Sequence, residues 1–333
     1  MPTRVLLVGL GPIGAGIARQ LVARRNFKLV AAVDVDPAKV DRDLADVVDL
    51  GKKTRITVGP DPVVAIHKTK PDVAVLCTSS SLKKVWPQIE TIVKRRVPIV
   101  STTEELSYPY LSNRALARKI DAAAKKAKVA VVGTGVNPGF AMDALPIALT
   151  AVCERVDAVR VERVQDARIR RLPFQQKIGS GLTVDEFGEQ VKAGTVRHVG
   201  LAESVAMIGD ALGWKLERVT DEIHPMIAKS AVESRFLKID AGRVCGIIQD
   251  GAGYRDGKAA IALHMEAYLG APESYDSVQI EGSPPLFVKA LGGYHGDVST
   301  TSIIVNTIPK VLAAPPGLHT MRSLALPSFA GGQ

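Results

Sequence analysis

VLLVGLGPIG, residues 5–14, decides how the first half of the chain folds. Val5 to Val8 make a short apolar, strand-like run, and the glycines at 9, 11 and 14 fit the pattern G-x-G-x-x-G. That string is weak by itself. Its meaning comes from following a strand and opening a helix, here Ile13 to Arg25, with Ile17, Leu21 and Val22 on one face. In that setting Gly9 permits a tight turn, Gly11 lets a pyrophosphate approach the backbone, and Gly14 lets helix and strand pack closely. Gly11, Pro12 and Ile13 then open a helix whose N–H groups and dipole favour anions. Asp34 ends the next strand-like run, Leu29 to Val33, and stands 20 positions after Gly14. A carboxylate there accepts hydrogen bonds from the adenosine ribose hydroxyls of a dinucleotide. It also repels a 2′-phosphate, so NAD is favoured over NADP, although Lys39 lies near enough to keep NADP open. The competing interpretation is a tight strand-to-helix turn that binds nothing.

The same rhythm continues past the glycines. Arg55–Val58, Val73–Leu76, Pro98–Val100 and Val129–Val132 read as further strands, with helices over 61–69, 82–96 and 111–127 between them. Continuous apolar strands separated by helices mean a parallel sheet covered on both faces. The first domain, 1–135, is therefore an α/β Rossmann-like, doubly wound parallel sheet. After Gly135 the strands lengthen and alternate: 156–164, 216–227, 244–249, 259–265 and 277–280. Two helices interrupt them. One opens at the capping-box spacing Thr183-x-x-Glu186, and the other runs from Leu201 to Leu212 before Gly213. Residues 136–298 thus form an α+β second domain with an open, mostly antiparallel sheet. A last helix, Thr300 to Leu312, carries the stripe Ile304, Ile308, Val311, and the segment 299–333 is expected to return to the Rossmann domain.

Composition excludes several classes. The chain has 333 residues, 46% hydrophobic and 23% charged, enough for two cores. No apolar run approaches the ~18 residues of a membrane span. Net charge is +9, but the basic clusters, such as Arg24-Arg25 and Lys94-Arg95-Arg96, are short and dispersed. Aromatics make up only 5% and do not interleave with them, which argues against nucleic acid. Cys77, Cys153 and Cys245 lack metal-ligand spacing and an even disulfide framework, so a cytoplasmic protein without a metal is expected.

Candidate site residues cluster near strand ends. CTSSS, 77–81, ends the fourth strand; Thr78, Ser79 and Ser80 would line the cofactor's ribose or nicotinamide end, or else form a plain N-cap cluster. STTEELSYP, 101–109, sets Glu104 beside Glu105 in the loop after the fifth strand. If Thr102 caps a short turn, Glu105 completes the capping box Thr102-x-x-Glu105 and Glu104 faces the ligand; the register Ser101-x-x-Glu104 would reverse the roles. His264, on an alternating strand, and His295, in a glycine-rich turn, either face a substrate or are satisfied structurally. Arg170-Arg171 either recognise a substrate carboxylate or are a solvated pair, and Gly179-Ser-Gly181 either approaches a ligand or makes a turn.

Several long stretches, STTEELSYP, GTGVNPGFAMDALP (133–146), RRLPFQQKIGSG (170–181), GEQVKAGTVRHVGLAESVAMIGDALGW (188–214) and NTIPKVLAAPPGLHTMRSLALP (306–327), run in order along the chain. Together they resemble the native NAD(P)-dependent amine dehydrogenases and 2,4-diaminopentanoate dehydrogenases, distant members of the dihydrodipicolinate reductase superfamily. The resemblance implies reductive amination of a ketone or aldehyde with ammonia and NAD(P)H, and the reverse oxidative deamination of an amine. It implies that Glu104 is catalytic and that Asn137, Pro138 and Phe140 lie by the nicotinamide. It further implies that Leu145 and Pro146 line the substrate pocket and that the protein is a homodimer. The paired-histidine and D-A-P-S-G-T-A motifs of true dihydrodipicolinate reductases are absent, which speaks against that substrate. The alternative activity is an NAD(P)-dependent reductase or dehydrogenase of another imine, amino acid or carbonyl.

Overall fold

The computed structural model describes residues 1–331. The described residues divide into two compact units, 1–140 with the segment from 295 onward, and 141–294.

In the first unit, strands and helices alternate: β1 (Thr3–Val8), α1 (Pro12–Ala23), β2 (Phe27–Val33), α2 (Leu44–Val48), β3 (Val58–Gly59), α3 (Pro62–Thr69), β4 (Val73–Leu76), α4 (Leu82–Val93), β5 (Ile99–Ser101), α5 (Arg114–Ala127) and β6 (Ala130–Gly133). All pairings in its sheet are parallel, in the order β15 (Gly317–His319), β6, β5, β4, β1, β2, β3. The order reverses beside β1, the arrangement of a doubly wound sheet. Leu6, Val75, Leu76, Ile99 and Val131 are fully buried, as strands covered on both faces require.

Two elements of this unit depart from the sequence reading. Arg55–Val58 is not a strand over its length. The Asp43 carboxylate takes the N–H groups of Thr54 and Arg55, Arg55 sits at φ 59°, and only Val58–Gly59 joins the sheet. The sheet also gains a seventh strand, β15 (Gly317–His319), paired with β6. It is preceded by α10 (Gly296–Ala313), which starts four residues before Thr300 because the His295 side chain caps it. α10 packs along α1 so closely that a Cβ on Gly16 would come within 2.8 Å of Thr301. Gln20 Nε2 donates to Thr301 Oγ1, and Arg24 Nη1 donates to Asn306 Oδ1.

The second unit holds α6 (Ala144–Leu149), β7 (Arg155–Asp166), α7 (Leu172–Lys177), α8 (Val184–Lys192), α9 (Leu201–Ala211), β8 (Arg218–Ile227), the two-residue strands β9 (Val232–Glu233) and β10 (Lys238–Ile239), β11 (Val244–Arg255), β12 (Lys258–Tyr268), β13 (Tyr275–Ser283) and β14 (Leu286–Leu291). Its six-stranded sheet runs β14-β13-β7-β12-β11-β8, antiparallel except for β12 with β7. The Thr183 capping box forms, with both reciprocal hydrogen bonds. β14 was not foreseen; it closes a hairpin with β13 and leaves Phe287 and Leu291 exposed. One face of the sheet lies under α9: Cβ atoms on Gly251 and Gly253 would meet Leu201 and Val205. The other face carries the alternate residues of each strand, including Asp250, His264 and Glu266.

Candidate active site

The carboxyl ends of β6, β5, β4, β1 and β2 stand side by side, and the first unit's candidate residues follow them. This is the edge at which open α/β sheets bind ligands.

The glycine turn after β1 is built as its spacing requires. Gly9 sits at φ 94°, and a Cβ there would approach Cys77 O to 2.5 Å. A Cβ on Gly14 would lie 2.0 Å from Gly9 O. Gly11 differs: among the described residues no atom comes within 4 Å of a Cβ built on it. Its backbone is open to a ligand, and it is also the N-cap of the twelve-residue α1, which has Pro12 in its first turn. A dinucleotide's pyrophosphate fits this arrangement, with the Gly11 and Ile13 N–H groups at the positive end of α1.

Asp34 closes the second strand and reaches back to that turn. Its Oδ2 accepts from Leu10 N at 2.7 Å and its Oδ1 from Asp36 N at 2.9 Å. Lys39 Nζ lies 3.2 Å from Asp34 Oδ2 and 3.3 Å from Asp36 Oδ2. Burial alone would raise the pKa of Asp34, but the two N–H donors and the Lys39 ammonium outweigh it and hold the carboxyl below its usual range. Asp34 is therefore ionised and locked in direction, and its bond to Leu10 N fixes the glycine turn.

The loops after β4 and β5 are joined. Thr78 Oγ1 donates to Gln88 Oε1, and Ser79 Oγ accepts from Ser81 N, so these two hydroxyls make local bonds, while Ser80 is exposed. Glu104 opens a short 3₁₀ turn, Glu104–Leu106, with Thr103 at the N-cap position but no side-chain cap bond, and is half-buried. The capping box Thr102-x-x-Glu105 does not form, because the turn starts at Glu104 and leaves Thr102 outside it. Glu105 instead accepts from Leu82 N at 2.7 Å and caps α4 across 23 residues of sequence. Thr102 bonds the Cys77 thiol, which desolvation pushes up to about 12 and so keeps protonated.

After β6 the chain doubles back through residues 134–140. Gly139 at φ 125° admits no side chain, since a Cβ would meet Gly135 N at 2.5 Å. Val136 N donates to Thr300 Oγ1 on α10, which anchors the stretch carrying Asn137. Asn137 is 8% exposed, and Phe140 is half-buried.

In the second unit, Leu145 is half-buried and Pro146 buried on α6. The fully buried Asp143 caps this helix through Ala144 N and accepts from Ser204 Oγ of α9 at 2.8 Å. His264 stands on β12 of the second unit's sheet. It projects from the sheet face opposite α9, between Asp250 Oδ1 at 2.6 Å and Glu266 Oε1 at 3.2 Å. The two-residue alternation of β12 settles this, because its neighbours Leu263 and Met265 take the buried side. The imidazole of His264 is thus held by two carboxylates of its own sheet, and the His295 side chain caps α10 through Val298 N. Gly179 and Gly181, at φ 74° and 95°, make the turn into α8.

Sequence reading missed His198. Burial holds its pKa well below the usual value, and the nearby cations Lys177, Arg163, Arg170 and Arg197 add to this. It is a neutral imidazole in a basic setting; it lies inside the stretch 188–214 quoted above, but at no spacing that marks a ligand or a catalytic group. Arg163 is buried against Asp276 and also donates to Tyr294 O, and Arg170 stacks on Phe174 at 4.0 Å. Among the described residues no three His, Cys, Asp or Glu side chains gather to hold a metal ion, and no helix is long and apolar enough to cross a membrane.

Comparisons with known proteins bear on this geometry. Residues 140–332 match the family model of the 2,4-diaminopentanoate dehydrogenase C-terminal domain. The 2,4-diaminopentanoate dehydrogenase of Acetoanaerobium sticklandii is 33% identical over 332 residues, covering 97% of this chain and 94% of that protein. The amine dehydrogenase of Mycobacterium smegmatis superposes with a TM-score of 0.87 at 25% identity, over 99% of this chain and 98% of that one. A dihydrodipicolinate reductase from Paenisporosarcina sp. TG-14 shares the fold, with a TM-score of 0.55 at 16% identity over 96% of this chain and 98% of that one.

Proposed function

The chain belongs to the 2,4-diaminopentanoate dehydrogenase family, and on that footing we propose that it interconverts an amine and its ketone or aldehyde, with a nicotinamide dinucleotide as redox partner and ammonia as the nitrogen source. It is an oxidoreductase acting on CH–NH2 groups, as its relatives are by name. The observation that carries the reading is the open backbone at Gly11 together with the half-buried Glu104, which follow two strands of the same sheet edge.

The bound nicotinamide supplies or accepts hydride. The chain supplies the rest. Gly11 and Ile13 present N–H groups to the pyrophosphate, and Asp34 accepts from the ribose. Ammonia adds to the carbonyl to give a carbinolamine, which must gain and lose protons before water leaves. Glu104 carries those protons and, as a carboxylate, stabilises the cationic iminium that accepts hydride. Phe140, Leu145 and Pro146 offer apolar surface to the substrate's carbon chain. NAD is favoured because the Asp34 carboxylate opposes a 2′-phosphate. Phe287 and Leu291, exposed on the second unit's sheet, support a homodimer, which sedimentation at twice 35.4 kDa would establish. The three free cysteines fit a reducing cytoplasm.

The test follows NADH absorbance with a panel of ketones and aldehydes at alkaline pH, with and without ammonium. Ammonium-dependent oxidation is the expected result; ammonium-independent oxidation would mean a carbonyl reductase instead. Glu104→Gln keeps the shape and removes the base, so amination falls by about 10²-fold or more while NADH binding holds. Near-native turnover of that variant would remove Glu104 from the chemistry.

A further inference from the structure

The loops after β4 and β5 are stitched together more heavily than neighbouring strands need. Thr102 N and Ser101 Oγ both donate to Leu76 O, at 3.0 and 2.9 Å. Thr103 Oγ1 donates to Ser79 O at 2.9 Å, and Glu105 N donates to Ser80 O at 3.2 Å. The Glu105 carboxylate then accepts from Leu82 N, the first residue of α4. Among the described residues the Ser81 hydroxyl accepts from none of α4's first N–H groups, although Ser81 is the N-cap. The cap that a serine would ordinarily give comes from another loop, and it carries the negative charge that a helix start favours.

Glu105 thus holds its segment at both ends, by its backbone N–H and by its carboxylate. Glu104 is its neighbour in the same 3₁₀ turn. A 3₁₀ helix has about three residues per turn, so adjacent side chains diverge by roughly 120°. Fixing Glu105 therefore fixes the direction in which Glu104 leaves the backbone. It also fixes Ser79 and Ser80, whose carbonyls are both turned toward the β5 loop.

We infer that Glu105 is a positioning residue: it clamps the Thr78–Ser80 loop to the β5 loop and so aims the Glu104 carboxylate. This rests on the reading of Glu104 as the proton carrier. The clamp acts by accepting a hydrogen bond, not by exchanging a proton, so an amide oxygen can replace the carboxylate oxygen.

The experiment compares Glu105→Ala and Glu105→Gln with the native enzyme, using turnover per folded site, the Kd for NADH and the pH profile of kcat. Misplacing a catalytic group by about 1 Å can cost about 10²-fold, so Glu105→Ala should lose about 10- to 100-fold in kcat and bind NADH a few-fold more weakly. Its KM for the carbonyl should change little. Glu105→Gln should recover kcat to within about 3-fold, because the amide oxygen still accepts from Leu82 N. A Glu105→Ala enzyme with a lowered melting temperature but native kcat per folded site would reduce Glu105 to a structural cap and overturn the inference. A Glu105→Gln enzyme as inactive as Glu105→Ala, with an altered acid limb, would make Glu105 the proton carrier and overturn it differently. If Glu105→Ala does not fold, Thr103→Val removes the neighbouring stitch to Ser79 O with little change in volume and should lower kcat in the same direction. A native kcat there would count against the clamp. Glu104→Gln, measured alongside, keeps the two readings apart: its near-native turnover would sink the role of Glu104, whereas the Glu105 series alone decides the clamp.

Discussion

Coenzyme choice should be held by two side chains of opposite charge, and replacing each in turn separates them. Asp34→Ser removes the negative charge that a 2′-phosphate would meet and leaves Lys39 behind. Two unit charges about 4 Å apart interact by about 1 kcal/mol in water and about 4 kcal/mol at an effective dielectric of 20. The Asp34 side chain is 10% exposed and that of Lys39 27%, so the site lies between these limits. A working figure of ~2 kcal/mol corresponds to a ~30-fold change in the ratio of kcat/KM for NADPH to that for NADH. Asp34 also anchors Leu10 N, so its loss should weaken both coenzymes, but that shared cost cancels in the ratio. Lys39→Met should move the ratio the other way, and less, because its more exposed ammonium is better screened. The assay is steady-state kinetics with both coenzymes at saturating ammonium and carbonyl. An unchanged ratio in Asp34→Ser, or a native enzyme that strongly prefers NADPH, would refute the role given to this carboxylate.

Other expectations follow from single contacts. Gly11→Ala should leave the melting temperature nearly unchanged, since the new methyl meets no described atom, yet it should weaken NADH in a binding titration. Gly14→Ala should destabilise the fold itself, because its Cβ would lie 2.0 Å from Gly9 O; equal effects of the two would undo the distinction. Arg163→Met leaves the buried Asp276 without its cation, and denaturant melts should show a loss of about 3–5 kcal/mol. For His264, burial lowers the pKa, but the bonds to Asp250 and Glu266 outweigh it and the net shift is upward. A raised folded value stabilises the protein fully below the unfolded value of about 6.5, and that contribution is lost as pH rises through the folded pKa. His264→Gln should flatten this slope in melts taken from pH 6 upward; an unchanged slope would place its origin elsewhere.

Much of the first unit was legible because its constraints are local. A glycine at φ 94° and another whose Cβ would strike a carbonyl cannot be other residues, and the sequence declares them at a fixed spacing. The capping box at Thr183 is equally local, three residues wide, and it formed as its spacing implied. Strand β15 was not legible, because three residues carry no period and its place depends on β6, some 190 positions earlier by number, offering a free edge. Arg55–Val58 failed for a related reason: its apolar alternation was outweighed by the Asp43 side chain, which captured the backbone N–H groups a strand would have used.

The site divides along the same line. A period of two says that His264 alternates with Leu263 and Met265, but not which side another element will cover, and α9 took the leucine's side. Asp34 was recognisable by its distance from the glycines; its bond to Leu10 N depends on two strands lying in register. The twin glutamates make the sharpest case. Sequence offered two capping registers, both within the turn, and the structure used neither. Glu105 caps a helix that begins 23 residues earlier, because parallel pairing of β4 with β5 sets their following loops side by side. A carboxylate one residue from the proposed proton carrier is thereby committed to the backbone of the loop that carries Thr78 to Ser80. The sheet thereby commits Glu105 to the start of α4, and the proton-carrying role is proposed for the glutamate next to it.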